Sequence, residues 1–551
     1  MTTIKRRQWM LFIGLLWALL AAPVLGQAKP ADGEWKTIED RWYEMSISDA
    51  RAGYMHVEVF EDGERYRTDS ETKMKVGRGG IVIEITMTSS FTETHDGTPL
   101  RLSSVQDMSL QVIEQEWIFK DGRVLERTSQ AGREKIREQP WPEGGWLTPV
   151  AVDRFIAEQI EAGQREIKYA MLSPDQGLKP VQVTMTYVGD SLFPINDDQV
   201  IPVTEWKTLT SVLPVEAREM YDNEHHSVYS EVNAQFGKIV TTLSTREAAL
   251  GLEPAEVAAA GGNAAAGNQG QGMPAAGAPV APAAPAREEV PELMLESFVK
   301  VDQPIRNPHK STTAMLRLKA KKGSLPELPS AGAQRAMIDG ETGEVLLAID
   351  INDNLPASGE DAANEEYLEA TTMVDAADEL IAKLAERAVR GRGDDDFAKA
   401  EALRTFVHRH ISRKGLATAF ASASETARTR TGDCSEHGVL LAAMLRAEGI
   451  PSRVAVGLVY ADSFAGAEHI FGWHMWTQAL IDGAWVDFDA TLPARYSAAH
   501  VLTGVSSLAE GLGAGDMSNL FLLMGNLQIE VIEVGFDAKV RADGEPEPPR
   551  R

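Results

Sequence analysis

The chain has 551 residues, enough for two to four domains with ample cores. Its 81 acidic and 54 basic residues leave a net charge of −27, which argues against nucleic acid or an anionic membrane as the main partner. Cys434 is the one cysteine, so no disulfide can close within the chain.

Lys5, Arg6 and Arg7 precede an apolar run from Trp9 to Leu20, and small residues follow around Gly26 and Ala28. That layout is a secretory signal peptide over residues 1–26, and it predicts export to the periplasm or beyond the cell. The run is shorter than the roughly 20 residues of a membrane span, so no span is expected once the signal is removed; a retained N-terminal anchor is the alternative. Exported proteins normally use cysteines in pairs. A lone thiol there is either inert and buried or a reactive group.

Residues 27–250 contain runs such as "AGYMHVEVFEDGERYRTDSETKMKV" that alternate apolar and polar residues between Asp-Gly turns. They predict one curved antiparallel sheet, up to a half-barrel, interrupted by a short helix at "AVDRFIAEQIEAG". Residues 251–289 are rich in Ala, Gly and Pro with almost nothing large and apolar to bury, so a disordered linker open to proteases is expected. The segments "SFVKVDQPI", "TTAMLRLKA" and "GEVLLAIDI" then predict a small β module over 290–365. Within it "DINDNLPASGED" begins like a calcium loop at Asp350. Leu355 stands where such a loop needs glycine and Asp361 where it needs a bidentate glutamate, so a plain loop is expected.

Helical periodicity governs the start of the next unit, 366–536, and 537–551 reads as a disordered tail. Thr372 is the expected N-cap of "TTMVDAADELIAKLAERAV", with Asp375 three residues on. Acids at Asp394–Asp396 open a second helix that stops by Gly415. The third lies in "TRTGDCSEHGVLLAAMLRAEGIPSR", with Val439, Leu440, Met444 and Leu445 at core spacing and Gly449 and Pro451 ending it. Gly432 and Asp433 turn into this helix, which places Cys434 in the first turn. There, unpaired backbone N–H groups and the positive dipole end favour a thiolate and can hold a developing oxyanion. The dipole is worth only about 0.3 to 1 kcal/mol, so a reactive Cys434 still needs a base.

That base is expected in "GWHMWTQALIDGAWVDFDATLP". Asp482-Gly483 signals a two-residue hairpin, which pairs Ile481 with Ala484. Counting back, Trp476 faces Asp489, and His474 lies two residues further on the same face, within reach of the carboxylate. Asp487 shares that face one pair nearer the turn.

With Cys434, His474 and Asp489 in this order, "GDCSEHGVLLAAMLRAEGIPSRVAVGLVY" and "FGWHMWTQALIDGAWVDFDAT" resemble the transglutaminase-like superfamily, whose core is similar to that of papain-like proteases. The resemblance spans about Thr371 to Ala499. It implies an α+β papain-like core preceded by mostly antiparallel β domains. It also implies Cys434 as nucleophile, His474 as general base and acid, and Asp489 as the residue that orients the imidazole. Some members require calcium, but no cofactor or metal is expected here. Members often carry a polar or aromatic side chain before the cysteine that completes the oxyanion hole. None can be assigned in "KGLATAFASASETARTRTG", and Ala490 stands where many members have proline.

The expected activity is that of an exported cysteine-dependent amide hydrolase or acyltransferase, acting on a protein or peptide through a thioacyl intermediate. Hydrolysis is favoured over crosslinking, because crosslinking needs a second binding site that excludes water. A rival of another class is a peptide-binding envelope protein that uses the same cleft without chemistry. A zinc site would draw on Cys434, His437, His469 and His474, but His437 reads as a helix-surface residue and His469 as a loop residue.

Overall fold

The computed structural model describes residues 35–251 and 290–536, apart from 79–80, 108–111, 131–132, 174–176, 197–198, 212–214, 235–236, 292, 302, 363, 416–420 and 509–522. The expected signal peptide, the expected tail and all of the expected linker but Gly251 lie outside the described residues.

The alternating segments form fourteen strands of one sheet, from β1 (Lys36–Ile47) to β14 (Gly237–Ser244). Its order runs from β8 (Arg133–Pro140) back through the sequence to β1, then from β14 back to β9 (Glu166–Met171). Only the β1–β14 contact is non-local; every other neighbour is a sequence neighbour. Hairpin chemistry explains this. Asp121 and Gly122, at φ 52° and 73°, form the two-residue turn between β6 (Val112–Lys120) and β7 (Arg123–Gln130), a turn whose twist matches the strands it joins. Side chains alternate accordingly: Val124 is buried and its neighbour Leu125 is exposed. Helix α1 (Pro149–Glu161) carries proline in its first turn, where the missing N–H costs nothing. Its end is satisfied from the sheet, because Glu93 of β4 (Ile81–Thr94) accepts from Thr148 Oγ1 at 2.9 Å and Val150 N at 3.4 Å. A short helix α2 (Arg246–Leu250), capped by Thr245, follows the last strand.

This sheet buries carboxyl groups. Burial pushes Glu93 and Glu219 up to about 7, although Glu219 accepts hydrogen bonds from Thr208 and Tyr221. Both sit above the ordinary value near 4.3, so their contribution to stability is full at low pH and is lost as pH rises through about 7. The first thermal transition of the full chain should therefore rise between pH 8 and pH 5.5. In Glu219→Gln that rise should shrink, and an unchanged rise would show that this carboxyl is not protonated on folding.

The remaining strands make two sheets. One has the order β15 (Val299–Lys300), β22 (Ala467–Ile481), β21 (Ser452–Phe464), β24 (His500–Ser506), with β23 (Ala484–Phe488) also on β22. The other has the order β17 (Gln334–Ile338), β18 (Val345–Asp350), β16 (Thr313–Ala320), β25 (Leu527–Gly535). Strands β19 (Arg413–Lys414) and β20 (Thr431–Gly432) pair in parallel. The β module expected over 290–365 is thus not self-contained. β15 belongs to the β22 sheet, and β16 needs β25 from far along the chain as its second neighbour. The two sheets share one core, in which Leu316, Leu318 and Leu347 meet Tyr460, Trp476 and Val501.

Helices cover the other face of the β22 sheet: α3 (Glu379–Val389), α4 (Asp396–His410), α5 (Ala423–Thr429) and α6 (Cys434–Ala447). Leu403, Leu440 and Met444 pack there against Met475, Ala479 and Phe488. The expected N-cap of α3 is corrected. Asp378, not Thr372, caps it, accepting from Leu380 N and Ile381 N, while Met373 and Val374 turn into the core ahead of the helix. The fold is α+β, with a large antiparallel sheet ahead of a helical and sheet core. Among the described residues no helix is long and apolar enough to cross a membrane.

Candidate active site

Cys434 is the first residue of α6, partly exposed, behind an N-cap built from both sides. Asp433 Oδ1 accepts from Ser435 N at 2.9 Å and Ser435 Oγ at 2.8 Å. Glu436 Oε2 returns to Asp433 N at 2.8 Å, which completes a capping box. Its Oε1 accepts from Ala421 N at 2.8 Å and so ties the preceding segment to the cysteine turn. Burial first, and then the neighbouring Asp433, raise Glu436 to about 7. Gly432 makes this close approach possible, since a Cβ there would lie 2.3 Å from that of Glu436. The backbone N–H of Cys434, expected as an oxyanion donor, is a first-turn amide without an intrahelical acceptor. Part of the segment searched for a second donor, 416–420, lies outside the described residues.

The strand that carries His474 is locked to this helix. Thr477 Oγ1 donates to Gly438 O at 2.9 Å, and Gly438 is a close-packing point where a Cβ would meet Met475 at 3.3 Å. The hairpin has the register read from Asp482-Gly483: Ile481 pairs with Ala484 and Thr477 with Phe488, both turn residues having positive φ. Just past the last pair, His474 Nε2 lies 3.0 Å from Asp489 Oδ2. Asp489 is fully buried, and its other oxygen accepts from Thr491 N at 2.7 Å and Leu492 N at 3.4 Å. Burial disfavours the charged imidazole, but Asp489 and then Cys434 outweigh it and raise His474 to about 10. Asp489 is held well below the usual carboxylate range against its own burial, by His474 and then His500. With Nε2 taken by the carboxylate, Nδ1 is the nitrogen left for sulfur. Thiol, imidazole and carboxylate in this order are the groups of nucleophilic attack through sulfur.

His500 was not foreseen. It is buried, with Nδ1 3.0 Å from Ser497 O and Nε2 3.3 Å from Asp489 Oδ2, so one carboxylate oxygen serves two imidazoles. Its ring lies among Tyr496 and Trp476, at centroid distances of 4.4 and 5.4 Å. The run "AAHVLTGVS" signals a strand, but β24 reaches the site only by pairing β21, so no local spacing points to this histidine. Gly457 was missed too. It sits opposite His474, where β21 shifts register against β24, and a Cβ there would lie 1.9 Å from Val501 O.

Other expectations are corrected. His437 is buried, not a helix-surface residue: Nδ1 faces Asp433 O, and burial lowers the ring to about 4. His469 is in β22 at φ 51°, bonded to Tyr460 OH at 3.1 Å, not in a loop. The four residues considered for zinc are not gathered. Among the described residues the grouping at this site with ligand atoms within 4.8 Å of one another is His474, Asp489 and His500, whose contacts with each other already engage them. Asp361, a ligand if the Asp350 loop held calcium, accepts from Arg453 at 3.1 Å and Trp485 at 3.2 Å. Asp487 is no bystander: it accepts from Trp476 Nε1 at 2.7 Å, Gln478 Nε2 at 2.8 Å and Ala333 N at 3.2 Å.

Residues 382–490 match the Transglutaminase-like superfamily, a span that takes in Cys434, His474 and Asp489, so this part of the chain is similar to that family. Among solved structures, a β-barrel-like protein of a domain of unknown function from Brucella abortus is similar at 13% identity over 37% of this chain and 95% of its own, with a TM-score of 0.31. A candidate cysteine protease from Cytophaga hutchinsonii is similar at 14% identity over 43% of this chain and 89% of its own, with a TM-score of 0.24. A candidate protease from Parabacteroides distasonis is similar at 12% identity over 58% and 68%, with a TM-score of 0.16. Scores this low have no bearing on what the chain does. No curated relative matches it.

Proposed function

We propose that this is an exported enzyme that opens an amide bond of a protein or peptide through a thioacyl intermediate on Cys434. The Cys434 sulfur adds to the carbonyl carbon, and the oxyanion takes a hydrogen bond from the N–H of Cys434. The C–N bond breaks as His474 gives its proton to the departing amine. Water, deprotonated by His474, then displaces the sulfur and leaves a carboxylic acid. A lysine amine in place of water would make the same enzyme a crosslinking acyltransferase. The observation that carries the proposal is the buried imidazole of His474 lying 3.0 Å from Asp489, which, with Cys434, raises the ring to about 10 against its burial. An imidazolium is the neighbour that keeps a thiolate in place. Export rests on the basic and apolar start of the chain.

The test is alkylation by iodoacetamide across pH. An ordinary thiol loses about tenfold in rate per pH unit below about 8.5, whereas Cys434 should stay reactive well below pH 8. His474→Ala should restore the tenfold slope in a protein that still folds. A Cys434 that reacts only in denaturant would end the proposal. Mass spectrometry of an adduct trapped from an amide-directed electrophile then separates chemistry from mere peptide binding.

A further inference from the structure

A groove of about 810 Å³ lies on the helical side of the transglutaminase-like domain, and Cys434 is not among the residues that line it. Five arginines line it: Arg387, Arg392, Arg409, Arg430 and Arg495, all exposed. In a chain of net charge −27 this is a concentration of the opposite sign, and one carboxylate, Glu401, faces it. That carboxylate is already held by Arg404 at 2.9 Å and Arg495 at 3.3 Å. Arg392 and Arg409 have no ion-pair partner among the described residues. Apolar surface accompanies the charge. Phe397 is 45% exposed in the groove, and the Arg387 guanidinium lies 5.1 Å over the Phe406 ring.

We propose that this groove docks an acidic segment of a polypeptide, with glutamate or aspartate side chains on the arginines and an apolar side chain against Phe397. Guanidinium forks match carboxylates in geometry as well as charge, and five of them along one groove suit a succession of carboxylates better than a single anion. A short acidic segment can stay within the groove. A nucleic acid, charged along its whole length, would run out over an acidic surface within a Debye length of about 10 Å. The groove also borders the candidate site. Arg404, which shares Glu401 with Arg495, donates to the backbone oxygens of Asp489, Leu492 and Ala494 at 3.4, 3.5 and 3.4 Å. A docked segment would therefore rest against the wall whose other side carries Asp489. In the light of the proposed function, the natural bearer of such a segment is the substrate. Docking itself needs no chemistry at Cys434.

The test is fluorescence anisotropy with a fluorescein-labelled peptide of alternating glutamate and phenylalanine, on the full chain with Cys434→Ala so that the probe stays intact. Binding should weaken about tenfold or more in the double variant Arg392→Glu, Arg409→Glu, and again on raising salt from about 50 to 300 mM. The same reversal at Arg123, exposed on the large sheet, should leave binding unchanged, and both variants should keep the parent melting temperature. No binding, equal loss from the Arg123 change, or tighter binding of an oligonucleotide of matched charge would overturn the proposal. None of these outcomes touches Cys434 alkylation, so the proposed function stands or falls separately.

Discussion

Asp489→Asn should lower turnover of an amide substrate by about three to four orders of magnitude while the melting temperature moves little. The structure makes this substitution unusually informative. Asp489 Oδ1 accepts from the backbone N–H groups of Thr491 and Leu492, so an asparagine must keep its carbonyl oxygen there. Its NH2 is then forced toward His474 Nε2, where it donates. Without the carboxylate the charged ring is no longer held against its burial, and the neutral imidazole that results carries its proton on Nδ1, on the sulfur side, so it cannot take up the Cys434 proton to form the ion pair. Flipping the amide to avoid this would set three N–H donors against each other. Asp487→Asn should show the reverse pattern, a lower melting temperature with activity kept in the folded fraction, because that carboxylate serves Trp476, Gln478 and Ala333. Equal losses of activity from the two variants would mean that the role assigned to Asp489 is wrong.

Glu436→Ala should cost stability rather than chemistry, and by a large amount. The side chain is fully buried and accepts from Asp433 N and Ala421 N, both at 2.8 Å. Removing it orphans two buried donors at about 1 to 3 kcal/mol each and takes away half of a capping box. We expect a loss of about 3 kcal/mol or more, seen as a fall of about 6 to 12 °C in the melting transition of this domain. Glu436→Gln, which keeps one acceptor, should fall between. A shift of less than about 1 kcal/mol for the alanine variant would show that the segment around Ala421 finds other acceptors.

What could be read from the sequence was local. Asp482-Gly483 sets a register that carries His474 to Asp489 with no knowledge of the rest of the molecule, and Gly432-Asp433 sets Cys434 at a helix start in the same way. The large sheet was legible for the same reason, since all but one of its strand contacts join sequence neighbours. His500 was not, because its place at Asp489 depends on β24 crossing to β21. Nor was the partnership of β16 with β25, or that of β15 with β22, since nothing within those short runs names a distant partner. The N-cap of α3 failed through competition. Met373 and Val374 pack in the core ahead of the helix, which leaves Asp378 and not Thr372 to cap it.

The pairing of β16 with β25 bears on timing. A chain made N-terminus first presents Cys434 well before Leu527–Gly535 emerge. Until they do, β16 has an open edge, and the core shared with the β22 sheet lacks Leu527 and Ile529. Folding of the domain would be completed from its late end, so the site gains its full support only once the chain through Gly535 has been made. The Cys434 thiol would stay without its full setting until that late strand has joined the sheet.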